Sequence, residues 1–215
     1  MTINISDIPV SRIEAIIFDF GGVIMDVDIH QTVRAFADLN IGNFTYRDII
    51  AENGGIFRDL EVGLITPQGF IDKFRADFPT AGNIPDEAIW QAWNALLQPY
   101  QPDRIALVKE IKKLYKTYLF SNTNYPHRIA FKRMFRDQFG YDLEELFIKC
   151  FYSDELHLRK PDPLIYTRLT EDLAVEPGKI LFIDDNPANI AQAQAAGWNA
   201  YQLAGGKTIR DIFSV

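Results

Sequence analysis

A chain of 215 residues with 47% hydrophobic content can bury one large core, or one core with a small satellite domain. Its formal net charge of -7, without long Lys or Arg runs, excludes nucleic acid and an anionic membrane as the main partner. The single cysteine, Cys150, excludes an intramolecular disulfide and a cysteine-based metal site, and suits a reducing compartment.

The opening residues, M-T-I-N-I-S-D-I-P, lack the basic flank and apolar stretch of a signal peptide, and no apolar run reaches transmembrane length. A soluble cytoplasmic protein is expected. Ile13, Ala15, Ile16, Ile17 and Phe18 then form an apolar run rich in β-branched residues, which predicts a strand buried on both faces. It ends at Asp19, and Gly21-Gly22 follow. A carboxylate at the carboxyl end of a buried strand, beside glycines that admit a ligand, marks sites in open α/β sheets, although Asp before Gly-Gly is also ordinary turn chemistry.

From Asp28 to about Pro102 helical periodicity replaces the β-rich runs. Asp28 is placed to cap a helix carrying Ile29, Val33, Phe36 and Leu39, and Thr45 to cap a short one through Ile49 and Ile50. Asn53-Gly54-Gly55 reads as a loop. Thr66-Pro67 reads as an N-cap and first helical position, followed by Phe70, Ile71, Phe74 and Phe78. Pro85 opens a further helix with Ile89, Trp90, Trp93 and Leu97 on one face, and those aromatics are expected in a core. Residues 28–102 thus predict a small all-helical domain inserted after the first strand, with 1–27 and 103–215 forming the other domain.

Beyond Pro102 strands and helices alternate. Ile105, Leu107, Val108, Ile111 and Leu114 mark a helix, and Thr117 to Phe120 a strand ending in Ser121-Asn122-Thr123-Asn124. The next helix carries Phe131, Met134 and Phe135, with Arg128, Lys132 and Arg136 as an expected solvated stripe. Phe147 to Tyr152 predicts a strand, and Arg159-Lys160-Pro161-Asp162-Pro163 leads into a helix with Ile165, Leu169 and Leu173. Ile180 to Ile183 predicts a strand ending in Asp184-Asp185-Asn186. A helix between Pro187 and Gly197 follows, then a last strand from Trp198 to Leu203. Such alternation predicts an α/β fold, a doubly wound parallel sheet. All four polar clusters then follow strands on one edge of the sheet.

The convergent set is Asp19, Ser121 with Asn122, Lys160, and Asp184-Asp185. Three carboxylates close together repel unless a cation sits among them, and an oxygen-only set points to a hard ion such as Mg²⁺. A metal, a lysine and hydrogen-bond donors around a nucleophilic carboxylate suit phosphoryl transfer, with Asp19 attacking phosphorus to form an aspartyl-phosphate. Taken singly, Lys160 reads as a surface lysine, and Ser121-Asn122 and Asp185-Asn186 as helix caps; the fourfold coincidence at strand ends favours function.

With those residues assembled, the chain resembles the haloacid dehalogenase (HAD) superfamily of hydrolases. F-D-F-G-G-V, F-S-N-T-N, R-K-P-D-P and I-D-D-N-P-A-N match its four motifs in order and frame nearly the whole chain. Within it, the chain looks like the sugar-phosphate phosphatases of the α-D-glucose-1-phosphate phosphatase kind. The resemblance implies a Rossmann-like core with a helical cap closing over the site. It implies Asp19 as nucleophile and metal ligand, the Gly21 carbonyl and Asp185 as further Mg²⁺ ligands, and Asp184 close by, directly or through water. Ser121 and Asn122 would hold phosphoryl oxygens, Lys160 would steady nucleophile and phosphate, and Asn189 would orient the acidic loop. Phe57 to Gly63 lies where such caps place a specificity loop, with Arg58 and Glu61 as candidates against salt bridging within the cap. The partner implied is a small phosphorylated metabolite, with monomer or small homo-oligomer both open.

One departure matters. Family phosphatases carry a second Asp two residues after the nucleophile, as general acid and base, and Gly21 stands there. Such help is worth about 10² to 10⁴ in rate, so a good leaving group, as in sugar 1-phosphates, is expected to be favoured. Asp26, Asp28 and His127 are candidate substitutes, against a capping role for Asp28 and an exposed first-turn position for His127. The rivals are a haloacid dehalogenase, a receiver-type phosphoryl acceptor, and a capped binding protein without turnover.

Overall fold

The structure, a computed structural model, describes residues 2–5, 8, 10–41, 44–49 and 55–214. In chain order the elements are β1 (Thr2–Ile3), β2 (Ala15–Phe18), α1 (Ile29–Asp38), α2 (Tyr46–Ile49), α3 (Ile56–Glu61), α4 (Pro67–Asp77), α5 (Asp86–Asn94) and α6 (Pro102–Lys112). They continue with β3 (Lys116–Ser121), α7 (Tyr125–Phe139), β4 (Lys149–Tyr152), α8 (Ser153–Leu156), α9 (Pro163–Leu173), β5 (Ile180–Asp184), α10 (Pro187–Ala195), β6 (Asn199–Gln202), α11 (Ile209–Ile212) and β7 (Phe213–Ser214).

Five strands form one parallel sheet in the order β4-β3-β2-β5-β6. Strand side chains alternate between faces, so a sheet covered on both sides needs continuous apolar runs. Ile16 and Phe18 of β2 accordingly join one core cluster with α6 and α7, while Ala15 and Ile17 join another with α9 and α10. The doubly wound sheet expected from the sequence is present. Burying one leucine-sized side chain there contributes about 1.5–3 kcal/mol, which locks the strand register and with it the strand ends.

Helices α1 to α5 lie between β2 and β3 and have a separate cluster built around Phe36, Phe57, Phe70, Phe74 and Trp93. Thr66 caps α4 by accepting from the Gly69 N–H (3.1 Å), and Pro67 begins it. Where the chain leaves and rejoins the sheet, two segments run side by side: the Asp28 N–H donates to the Leu96 carbonyl (2.9 Å) and that of Gln98 to Asp26 (3.1 Å).

Several local expectations need correction. Leu114 lies beyond α6 and is exposed, because that helix stops at Lys112. The Arg128, Lys132 and Arg136 stripe is no free solvated face, since Arg128 pairs with Asp154 and Glu155, Lys132 with Glu144 and Arg136 with Asp142. The antiparallel pair β1–β7 and the short α8 have no counterpart in the sequence reading. Ile50 and the Asn53-Gly54 part of the expected loop lie outside the described residues. No helix among the described residues is long and apolar enough to cross a membrane.

Candidate active site

Chain order in the sheet turns around at β2: β3 and β4 lie on one side, β5 and β6 on the other. Loops leaving β2 and β5 therefore diverge and open a crevice beyond their carboxyl ends, where open α/β sheets bind ligands. Asp19 is the first residue past β2, and its N–H still donates to Ile183 of β5 (2.9 Å). Asp184 is the last residue of β5. Two carboxylates are thus delivered from neighbouring strands.

Lys160 sits between them with 1% exposure. Its Nζ donates to Asp19 Oδ1 (2.6 Å), Asp184 Oδ2 (2.7 Å) and the Phe120 carbonyl (2.9 Å), which uses all three ammonium protons. Burial alone would lower the lysine pKa, but the two carboxylates outweigh it and the pKa is raised. The turn that presents Lys160 is held by Asn122, whose Oδ1 accepts from the Lys160 N–H (2.8 Å) and whose Nδ2 donates to the Lys160 carbonyl (2.9 Å). The peptide bond that follows, Lys160-Pro161, is cis. The Asn122 side chain is therefore committed to the backbone of Lys160. Ser121 is buried, with only a long contact from its hydroxyl to the Asn122 carbonyl (3.4 Å).

Asp184 is fully buried and oriented from its other side. Asn189 Nδ2 donates to both its oxygens (3.1 and 3.0 Å), and the Asn186 N–H to Oδ1 (2.8 Å). Asp185, more exposed, turns toward Gly22. A Cβ at Gly22 would lie 2.3 Å from Asp185 Oδ2, and φ is +75° there, so only glycine lets the Asp185 carboxylate take this position.

Oxygens of Asp19, Asp184 and Asp185 lie within 4.8 Å of one another. One ammonium cannot offset three carboxylates, and a donor set made of oxygens alone fits a hard divalent cation. Burial pushes the Asp19 carboxyl up to about 7, with Lys160 opposing and Asp184 adding to the rise. Burial and Asp184 also raise Asp185. A cation needs these groups ionised, so its binding releases protons and strengthens as pH rises through about 7. Mg²⁺ is expected to raise the Tm more at pH 8 than at pH 5.5; an equal or larger gain at pH 5.5 in thermal melts would contradict this.

A family model for haloacid dehalogenase-like hydrolases matches residues 13–197, a span that runs from the residues before β2 to the end of the acidic loop's helix. The chain belongs to that family. This HAD-like hydrolase is 30% identical over 206 residues to a D-ribitol-5-phosphate phosphatase of Bacteroides thetaiotaomicron, covering 94% of this chain and 98% of that protein. It is 27% identical over 186 residues to a phosphorylated carbohydrates phosphatase of Thermotoga maritima, covering 86% and 82%. Among solved structures it is similar to a HAD family enzyme of B. thetaiotaomicron in complex with magnesium and inorganic phosphate. That likeness has a TM-score of 0.83 and 30% identity, over 94% of this chain and all of the other.

In this HAD-like hydrolase a cavity of about 230 Å³ is lined by Gly21, Ser121 and Asn122 from the strand-end loops and by Glu61, Trp93 and His127 above them. Arg58 is exposed and absent from its lining, so only one of the two expected specificity residues reaches it. Glu61 pairs with Arg159 of the sheet domain (2.9 Å) rather than within the helical segment. Asp28 caps α1 by accepting from the His30 N–H (3.0 Å), and Asp26 pairs with buried Arg104 (2.9 Å); neither lines the cavity. His127 is buried, contrary to expectation. It stacks on Trp93 at 4.6 Å, Nδ1 accepts from Asn124, Nε2 donates to the Trp93 carbonyl, and burial pushes its pKa down to about 4. Nothing in the sequence distinguishes Ser153, and for Arg159 the one available signal is its place before Lys160.

Proposed function

We propose that the chain is a Mg²⁺-dependent phosphatase of small phosphorylated metabolites, sugar phosphates above all, acting through an aspartyl-phosphate on Asp19. The observation that carries this is Lys160 buried between Asp19 and Asp184, with Asp185 alongside, at the switch point of the sheet. Similarity to two carbohydrate-phosphate phosphatases and to a magnesium–phosphate complex supports it.

Asp19, the Gly21 carbonyl and Asp185 would hold the cation, with Asp184 behind them. When bound there, Mg²⁺ supplies charge neutralisation and alignment for the phosphoryl group. Lys160 fixes one Asp19 oxygen through its 2.6 Å hydrogen bond, so that the other is left to attack phosphorus. The Ser121 hydroxyl and the Asn122 N–H receive phosphoryl oxygens. Water then cleaves the aspartyl-phosphate and restores Asp19. Residues 28–102 act as a cap whose lower face encloses the leaving group. Three clustered carboxylates would repel a haloacid, which sets the dehalogenase alternative below this reading.

Position 21 has room for a side chain, since an added Cβ would meet nothing nearer than Val27 at 3.5 Å, yet it carries no acid. Sugar 1-phosphates, whose anomeric leaving group needs the least help from an acid, are favoured over 6-phosphates. A panel of phosphate esters with Mg²⁺ and with EDTA tests both statements. Expected are EDTA-sensitive hydrolysis and about tenfold or more higher kcat/KM for glucose 1-phosphate than for glucose 6-phosphate. Comparable turnover of the two esters would remove the preference, and chloride release from 2-chloropropionate in EDTA would favour the dehalogenase.

A further inference from the structure

Among the described residues lining the cavity, only Glu61 and His127 are titratable. Both His127 nitrogens are committed, and its imidazole is neutral. Glu61 remains. It ends α3 and lines the same cavity as Gly21 and Ser121. Its Oε1 lies 2.9 Å from Arg159 Nε as an ion pair without hydrogen-bond alignment, and is a buried oxygen with no hydrogen bond among the described residues. Burial raises the Glu61 pKa against the opposing charges of Arg159, Lys160 and Arg58.

The loop bearing Glu61 is pinned to the sheet domain. Ser153 Oγ lies 2.7 Å from the Glu61 carbonyl and 2.8 Å from that of Thr123, and His157 Nδ1 donates to the Val62 carbonyl (2.9 Å). Gly63, at φ +66°, approaches so closely that a Cβ would come within 2.2 Å of the Asp154 carbonyl oxygen. These contacts fix a carboxyl from the helical segment over strand ends that provide none at position 21.

We propose that Glu61 is the catalytic acid and base that position 21 lacks, delivered to the leaving group from the cap side. The role rests on the phosphatase reading above. In the first step Asp19 forms its bond to phosphorus as the ester P–O bond breaks. The electron pair stays on the leaving oxygen, which takes the Glu61 proton and departs as an alcohol. In the second step the Glu61 carboxylate takes a proton from water as the water oxygen bonds phosphorus. Asp19 leaves as carboxylate, and Glu61 is again protonated.

Nitrophenyl phosphate needs no acid to expel its phenolate, whereas glucose 6-phosphate does, and both need the base for the second step. Glu61→Gln is therefore expected to keep a rapid burst of about one nitrophenolate per site, followed by turnover slowed about 10²-fold. On glucose 6-phosphate it loses the burst as well, and the preference for glucose 1-phosphate widens at least tenfold. Glu61→Asp, which keeps the carboxyl, recovers at least tenfold of the lost kcat, a rescue that a packing role would not give. If wild type turns over both esters with Mg²⁺ but Glu61→Gln matches it, or changes only KM, the role of Glu61 is overturned while the phosphatase reading stands. No Mg²⁺-dependent hydrolysis of either ester by wild type would overturn both.

Discussion

Lys160→Met is expected to unfold the protein about 10 °C earlier at pH 8 in EDTA and to lower kcat by at least about 10²-fold with Mg²⁺. Lys160 is the cation hydrogen-bonded to both Asp19 and Asp184, each buried. Removing one partner of a buried ion pair costs about 3–5 kcal/mol, because the remaining charge has nowhere to go. In a protein of this size each kcal/mol corresponds to about 2–4 °C. Methionine keeps the apolar volume between Phe120 and Phe182, so packing contributes little to the loss. The pH dependence separates charge from packing. Burial already holds the Asp19 carboxyl up at about 7, and losing the ammonium that opposes this rise leaves it above its unfolded value, so the stability it contributes is present at low pH and lost as pH rises. The gap between variant and wild type should then shrink toward pH 5, as Asp19 takes up a proton. Melts that differ equally at pH 5 and pH 8 would assign the defect to packing.

Asp19→Asn is expected to abolish turnover, with a loss of at least about 10⁴-fold, while the protein stays folded. The amide matches the carboxylate in size and keeps an oxygen that can accept from Lys160, but it is no nucleophile toward phosphorus. It also removes one metal-binding oxygen, so the Tm gain from Mg²⁺ should fall. Residual activity within tenfold of wild type would place the nucleophile elsewhere. A water-based mechanism that merely uses Asp19 for the metal would be separated from this one by adding excess Mg²⁺, which would then restore turnover.

Much of the sheet was legible because strands buried on both faces must be written as unbroken apolar runs, and Ala15–Phe18 and residues 180–183 of β5 are. The candidate site was legible for a related reason: a polar side chain at the end of such a run has few places to go, and Asp19, Ser121 and Asp184 all stand there. What stayed hidden depended on contacts between distant residues. His127 looks like an exposed first-turn histidine until Trp93, 34 residues earlier, supplies both a ring to stack on and a carbonyl for Nε2. Asn122 sits in a phosphate-like motif, yet its side chain is spent on the backbone of Lys160, 38 residues away. The basic stripe on α7 is spaced as a solvated face would be, and only tertiary packing brings Glu144, Asp142 and Asp154 against it. The two-residue strands β1 and β7 are too short to carry any period.

The proposed phosphatase mechanism requires a covalent bond between Asp19 and phosphorus. Rapid acid quench of the enzyme with ³²P-labelled nitrophenyl phosphate and Mg²⁺, followed by peptide mapping, tests it directly. The predicted result is acid-stable label on the peptide containing Asp19, formed and lost at least as fast as kcat and absent from Asp19→Asn. Full hydrolysis with no labelled protein, or label on a peptide lacking Asp19, would contradict it.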